Sequence, residues 1–335
     1  MQILRLLRFL EGSNCDSLFN IPALDKILFH AGNTELRRQL YSEECLQLDA
    51  LRKLIQKPTV LEITSEEPGA GKTHLLYLIV TLAVLPHSHD DISLNGRHSA
   101  VVVLDTDERF SIERLVQVMR HYINQQIKAR NDDDQAPDKE PQHPSEASIT
   151  ELISRSLQHI HIFRPQSLAS ATATLSALPC YLLDPSAHHS ATRPLHSILI
   201  DSLTAFHWGA QASSDGARAP YAPLTAALQA QAALFDAAIV GTSVSPFSGT
   251  GRAADASVVP RPWPALRPLR LRVARSPVPK VAPRLSVEEA LRGRGERATE
   301  VERGRFEAVV EGGARFGFWI GEEGVAVDAD GDSGS

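Results

Sequence analysis

Two patterns of apolar residues alternate along the chain. Short, largely apolar runs stand at Val60–Ile63, Ser99–Leu104, His159–Phe163, Leu195–Ile200 and Ala237–Thr242. Each is rich in β-branched residues, as strands buried on both faces are. Between them lie stretches at helical spacing. One has no Gly or Pro from His74 until Pro86, and in Ser111–Lys128 the residues Ile112, Leu115, Val116, Met119 and Ile123 form one face. Further helices are predicted near Ile149–Leu157, Ser167–Leu178 and Leu224–Phe235. Strand followed by helix, repeated, predicts an α/β fold with a mostly parallel central sheet flanked by helices. Late in the chain Leu269–Ala274 alternates at period two. Phe306–Val310 and Phe316–Ile320 then flank Gly312-Gly313, which predicts C-terminal antiparallel strands joined by a hairpin.

The polar stretches suggest boundaries. Residues 1–31 read as an N-terminal extension, with an arginine-bearing amphipathic start, and 32–327 as the core. Leu36, Leu40, Cys45, Leu48, Leu51 and Ile55 make 32–56 a helical lead-in. His87–His98 reads as a polar loop, and 129–148, with Asn131–Asp134 and three prolines, as a disordered acidic insertion. Residues 249–305 are a poorly defined Pro- and Arg-rich segment, and 328–335 an acidic tail.

Composition narrows the picture only a little. The 335 residues carry 43% hydrophobic and 22% charged side chains, ordinary for a globular protein, and the net charge of −6 gives no global nucleic-acid signature. Cys15, Cys45 and Cys180 are far apart and lack a C-x-x-C, against a disulfide framework or zinc site. No apolar stretch reaches membrane-spanning length, so no membrane partner is expected.

Candidate chemistry concentrates after the first strand. Ser65-Glu-Glu-Pro-Gly-Ala-Gly-Lys-Thr73 is a Gly-rich loop leading into a helix, the order of a phosphate-binding P-loop. Pro68, Gly69, Ala70, Gly71, Lys72, Thr73 and His74 are the candidate nucleotide-binding residues. Backbone N–H groups freed by the glycines, together with the helix N-terminus, would hold phosphates. Lys72 would reach the β- and γ-phosphates and Thr73 the metal, so ATP and Mg²⁺ are the expected cofactors. Glu66 replaces the usual first glycine and would repel phosphates unless it points to solvent. The competing reading is an ordinary turn before a helix. Asp201, closing an apolar run, is a candidate Walker B residue acting on Mg²⁺ through water. Asp107 and Glu108, just past a strand end, are candidate catalytic carboxylates. His159 and His161 share one strand face, either as a metal pair lacking a third ligand or as polar strand residues.

Several stretches in order resemble the RecA-type recombinase family, and within it the eukaryotic recombinase paralogues: Gly32–Leu36, Gly69–Tyr77, Leu104–Asp107 with Phe110 and Arg114–Val116, Leu199–Phe206 with Trp208, and Phe318–Val325. The resemblance implies a RecA-like P-loop NTPase core. It further implies a nuclear role in homologous recombination, assembly with other recombinase paralogues, and help in forming a recombinase filament on single-stranded or branched DNA. Measured against the family pattern, Asp107 stands where active members place a water-activating glutamate, and Val244 where they place a γ-phosphate-sensing glutamine. With Glu66, these departures imply weak or vestigial hydrolysis. DNA contact would fall to the loops near Gly209–Pro220 and Gly249–Pro264 and to the arginine-rich region, whose arginines read equally as a solubilising surface.

Two functions therefore stand. One is an assembly subunit in recombination repair of double-strand breaks with slow or lost ATPase chemistry. The other is an active DNA-dependent ATPase or recombinase using Lys72, Thr73, Asp201 and Asp107 or Glu108. A P-loop small-molecule kinase ranks below both, because nothing resembles an acceptor-binding lid.

Overall fold

The computed structural model describes residues 18–28, 58–133, 144–211, 218–244, 263–266, 268–276, 288, 304–310 and 314–328. The lead-in helix predicted over 32–56, most of the acidic run and the loop around 249–262 lie outside the described residues. A nine-stranded sheet forms the centre, in the order β11-β10-β9-β8-β1-β7-β6-β4-β5. Its parallel part comprises β1 (Val60–Ser65), β4 (Ala100–Asp105), β5 (Ile160–Phe163), β6 (Leu195–Asp201), β7 (Ala238–Val244) and β8 (Leu269–Arg275). Strands β9 (Arg305–Val310), β10 (Arg315–Ile320) and β11 (Val325–Val327) extend it antiparallel. The fold is α/β, as the alternation of runs predicts, and the arrangement is consistent with a RecA-like fold.

Alternation within β4 divides the core. Val101 and Val103 face one layer, built on α2 (Lys72–Val84), α3 (Ile112–Asp133) and α4 (Glu146–Leu157). Val102 and Leu104 face the other, with α5 (Leu168–Leu182), α6 (His207–Gln211), α7 (Arg218–Phe235) and the 3₁₀ turn Trp263–Leu266. Helix α2 is apolar nearly all round, from Leu75 to Val84, because sheet, neighbouring helix and C-terminal strands surround it.

Three expectations change. Residues 18–28 are not outside the fold: Phe19, Ile21, Leu24 and Ile27 are buried, residues 22–28 forming helix α1, and His196 bonds Leu18 O at 2.8 Å. Leu24 and Ile27 lie three apart on one side of the helix, and Phe19 and Ile21 are buried in the turn leading into it. The insertion is shorter than 129–148. Helix α3 runs to Asp133, and α4 starts at Glu146 behind an Ser145 cap that accepts from the Ser148 N–H. The stretch after His87 holds a small hairpin, β2 (Ser88–His89) with β3 (Ile92–Ser93). Asp90 and Asp91, with φ of 47° and 61°, form its two-residue turn, and Ile92 and Leu94 anchor it. The strand read from the alternation of Leu269–Ala274 is present as β8, within 249–305 and parallel to β1 inside the sheet. Leu271 and Val273 are buried there, and alternation with arginine carries the strand despite the prolines around it.

Candidate functional site

The parallel strands bring their carboxyl ends together, and the residues singled out by sequence collect there. Strand β1 ends at Ser65, and Glu66 to Gly69 form an exposed loop before Ala70 and Gly71 turn inward. Gly69 and Gly71 have φ of 77° and 92°, which a side chain adopts at a cost. Gly71 also has no room: a Cβ there would lie 2.7 Å from Ile320 Cδ1. The C-terminal strand β10 thus packs on the loop. Glu66 is solvent-exposed, the orientation that avoids repelling an anion.

Lys72 opens α2 and is 9% exposed. Its Nζ donates to Ser65 Oγ, and Ser65 Oγ donates to Glu67 O at 2.7 Å. Thr73 Oγ1 donates to Asp201 Oδ2 at 2.8 Å, and Thr242 Oγ1 donates to Asp201 Oδ1. Asp201 ends β6 and is 5% exposed; its peptide bond to Ser202 is cis. Burial pushes the Asp201 carboxyl above its usual range, against the two threonine donors; the Asp107 charge adds to the rise and Lys72 opposes it. Burial likewise pulls Lys72 down, while Asp201 and Asp107 hold it up. Lys72, Thr73, Asp201 and Asp107 therefore share one electrostatic site, in which Thr73 and Asp201 meet across 128 positions of chain.

Asp107 is exposed and its N–H meets Asp201 O at 3.3 Å. Its turn hangs on Asp105, a fully buried carboxylate that sequence reasoning left unassigned. Asp105 Oδ1 accepts from the N–H groups of Arg109 and Phe110 at 3.0 and 3.3 Å, and Oδ2 pairs with Arg164 at 3.2 Å. Glu108 points elsewhere, accepting from Gln166 Nε2 at 2.7 Å with φ of 54°. Val244 pairs in register with Ser65, and its N–H reaches Thr204 Oγ1 at 3.3 Å.

His74 lies on the first turn of α2. Its Nε2 accepts from Arg114 Nε at 3.2 Å, and burial followed by the Arg114 charge pulls its pKa down to about 4. Arg114 also donates to Gly321 O and Glu322 O, which ties the turn after β10 to the loop.

Two other groups answer sequence expectations. Glu62, 1% exposed in the middle of β1, accepts from Ser243 Oγ at 2.8 Å and Trp263 Nε1 at 3.1 Å and pairs with Arg270 at 3.4 Å. Arg270, one of the arginines considered for DNA contact, is thereby turned onto a buried carboxylate. A lone glutamate within an apolar strand run was the available signal. His159 and His161 are buried, bonded to Ser190 Oγ at 2.9 Å and Tyr181 Oη at 3.0 Å. Among the described residues no group of three His, Cys, Asp or Glu could hold a metal ion. No helix of the described residues is long and apolar enough to cross a membrane.

One stretch of 74 residues, 22% of this chain, is 38% identical to the mouse protein DNA repair protein RAD51 homolog 2 and spans 19% of that protein's length. This match supports a relationship to the RAD51/RecA family. No protein-family profile matches the chain.

Proposed function

We propose that this protein is a recombinase paralogue, of the X-ray repair cross-complementing protein 2 type, that serves recombination repair of DNA double-strand breaks as an assembly subunit. In this reading the α/β sheet, with residues 18–28 packed into it, forms a RecA-like core that joins other recombinase paralogues in the nucleus and assists a recombinase filament on single-stranded or branched DNA. The observation carrying it is the meeting of Lys72, Thr73, Asp201 and Asp107 at the carboxyl ends of parallel strands, where α/β sheets place ligands. The similarity to a protein named for DNA repair supports the same direction.

The loop Pro68–His74 would hold the phosphates of ATP, with Lys72 as the cation and the backbone N–H groups before α2 as donors. Thr73 and Asp201 present hard oxygen donors, the set Mg²⁺ prefers, and the buried charges of the site suit a polyanion with its cation. Bound Mg²⁺ would supply charge neutralisation at the phosphates. What the chain itself contributes is binding and orientation. Asp107 is the carboxylate whose charge acts on both Lys72 and Asp201, one methylene shorter than a glutamate would be. Val244 ends β7 without a polar tip. Both support slow hydrolysis, with nucleotide serving mainly to hold the fold or the partner interface.

The test is repair in cells that carry only a Lys72→Ala protein. Preserved partner binding and preserved survival after DNA breakage fit the assembly reading. Loss of repair with folding and partner binding intact favours the active ATPase instead, a reading that the intact Lys72, Thr73 and Asp201 support. DNA-stimulated phosphate release by the complex, abolished in Lys72→Ala, would establish that alternative.

A further inference from the structure

Lys72 Nζ hydrogen-bonds neither of the carboxylates that act on its charge. Its bond goes to Ser65 Oγ, the last side chain of β1, immediately before Glu66. Ser65 is 1% exposed, so the bond lies beneath the loop rather than in its mouth. The proton of Ser65 is already committed, because Oγ donates to Glu67 O at 2.7 Å. The serine can therefore only accept from the ammonium, and its orientation is set by the loop carbonyl. An ammonium has three N–H groups, and fixing one of them inward leaves two for the loop side.

We propose that Ser65 is the positioning residue for Lys72, holding the ammonium at the base of the loop with two donors free for an anion. The proposal rests on the nucleotide reading above. It also gives the departure at Glu66 a mechanical consequence. Where the usual loop turns on a glycine, this chain carries two exposed glutamates, and the Ser65–Glu67 bond closes the turn. Ser65 thus couples loop shape to lysine direction through a single oxygen. The neighbouring strand offers no substitute, since the residue in register with Ser65 is Val244. Ser65 touches Lys72 and loop backbone, and its effect on a bound nucleotide would run through Lys72.

Two measurements on the full chain decide this. The first is the rate at which an acylating reagent labels Lys72, read by mass spectrometry without nucleotide. Ser65→Ala removes the acceptor and should raise that rate several-fold, while Ser65→Thr should restore the wild-type rate. An unchanged rate in Ser65→Ala overturns the proposal. The second is calorimetric binding of ATP with Mg²⁺. Ser65→Ala should weaken binding about fivefold, the scale of losing one hydrogen bond to a charged group shared between two states. The loss should vanish in a Lys72→Ala background and be rescued by Ser65→Thr. An equal loss in both backgrounds overturns the proposal, because a merely structural serine would act without the lysine. Faster labelling of Ser65→Ala with no ATP binding by any of the chains supports the Ser65–Lys72 contact and overturns the nucleotide reading.

Discussion

Thr73 Oγ1 donates to Asp201 Oδ2 across 2.8 Å, joining the start of α2 to the end of β6 over 128 positions of chain. Asp201 is 5% exposed, and its other oxygen takes the Thr242 hydroxyl, so a buried carboxylate depends on two threonines. Thr73→Val keeps the shape and removes one donor. The expected loss is about 1–3 kcal/mol of folding stability, the cost of leaving a buried charged acceptor short of a partner. Denaturant unfolding of the two proteins measures it, and an unchanged midpoint with unchanged slope would contradict the stated geometry. Under the nucleotide reading the same change also removes the Mg²⁺ dependence of ATP binding.

Gly71 and Gly69 both adopt left-handed backbone, yet they should not respond alike. Around Gly69 a Cβ would meet nothing within 4 Å, whereas at Gly71 it would meet Ile320 Cδ1 at 2.7 Å. Gly69→Ala should cost about 1–2 kcal/mol, the conformational term alone. Gly71→Ala adds overpacking against β10, a further ~1–3 kcal/mol. Thermal unfolding of the two variants without ligand ranks them, and equal melting temperatures would refute the contact with Ile320. This also means that the second glycine of the loop has a packing reason for being glycine, independent of any phosphate.

What could be read from sequence followed from periodicity. Runs such as Ala100–Leu104 and Ile198–Ile200 carry their own signal, because a strand buried on both faces is apolar at successive positions. The candidate site was legible in the same way: Lys72, Thr73 and Asp201 each stand where a strand ends or a helix begins, and the fold brings those ends together. The residues that escaped are those whose roles depend on distant partners. Asp105 reads as one of several acids after a strand until Arg164 and the Arg109–Phe110 backbone close on it. Glu62 looks like a flaw in β1 until β8 lays Arg270 beside it. Strand β8 was legible from its period-two alternation over Leu269–Ala274, but its parallel place beside β1 was not, and Phe19 with Ile21 gave too short a period to stand out.

The Glu62 cluster is the next place to test. A carboxylate 1% exposed, with Ser243, Trp263 and Arg270 all directed at it, links β1, β7, β8 and the 3₁₀ turn before β8. Glu62→Ala takes the shared acceptor from Ser243, Trp263 and Arg270 at once, and removing one partner of a buried ion pair typically costs about 3–5 kcal/mol. Replacing Arg270 by Met should cost less than Glu62→Ala, because Ser243 and Trp263 still donate to the carboxylate. Urea unfolding of the two single variants gives the comparison. If Glu62→Ala proves as stable as wild type, the cluster does not hold the C-terminal strands to β1.

Acid should destabilise the fold before any carboxylate of ordinary pKa is protonated. Burial, assisted by nearby cationic groups, pulls His74, His159 and His161 each from 6.5 down to about 4. His161 shows why: Nδ1 is bonded to Tyr181 Oη, Nε2 is buried without a partner, and His188 stacks edge-on at 4.7 Å. A proton on that ring would meet no acceptor. The unfolded chain takes up these protons below about pH 6.5 and the folded chain does not, so stability falls as pH drops from about 6.5 toward 4. Asp25 and Asp201, raised by burial, bind protons more readily when folded and oppose this trend at its acid end. Urea midpoints should therefore fall between about pH 7 and pH 5. In His161→Phe, which keeps a ring in the same packing, that fall should be shallower. A pH-independent midpoint over this window would mean that these histidines are not held neutral by burial.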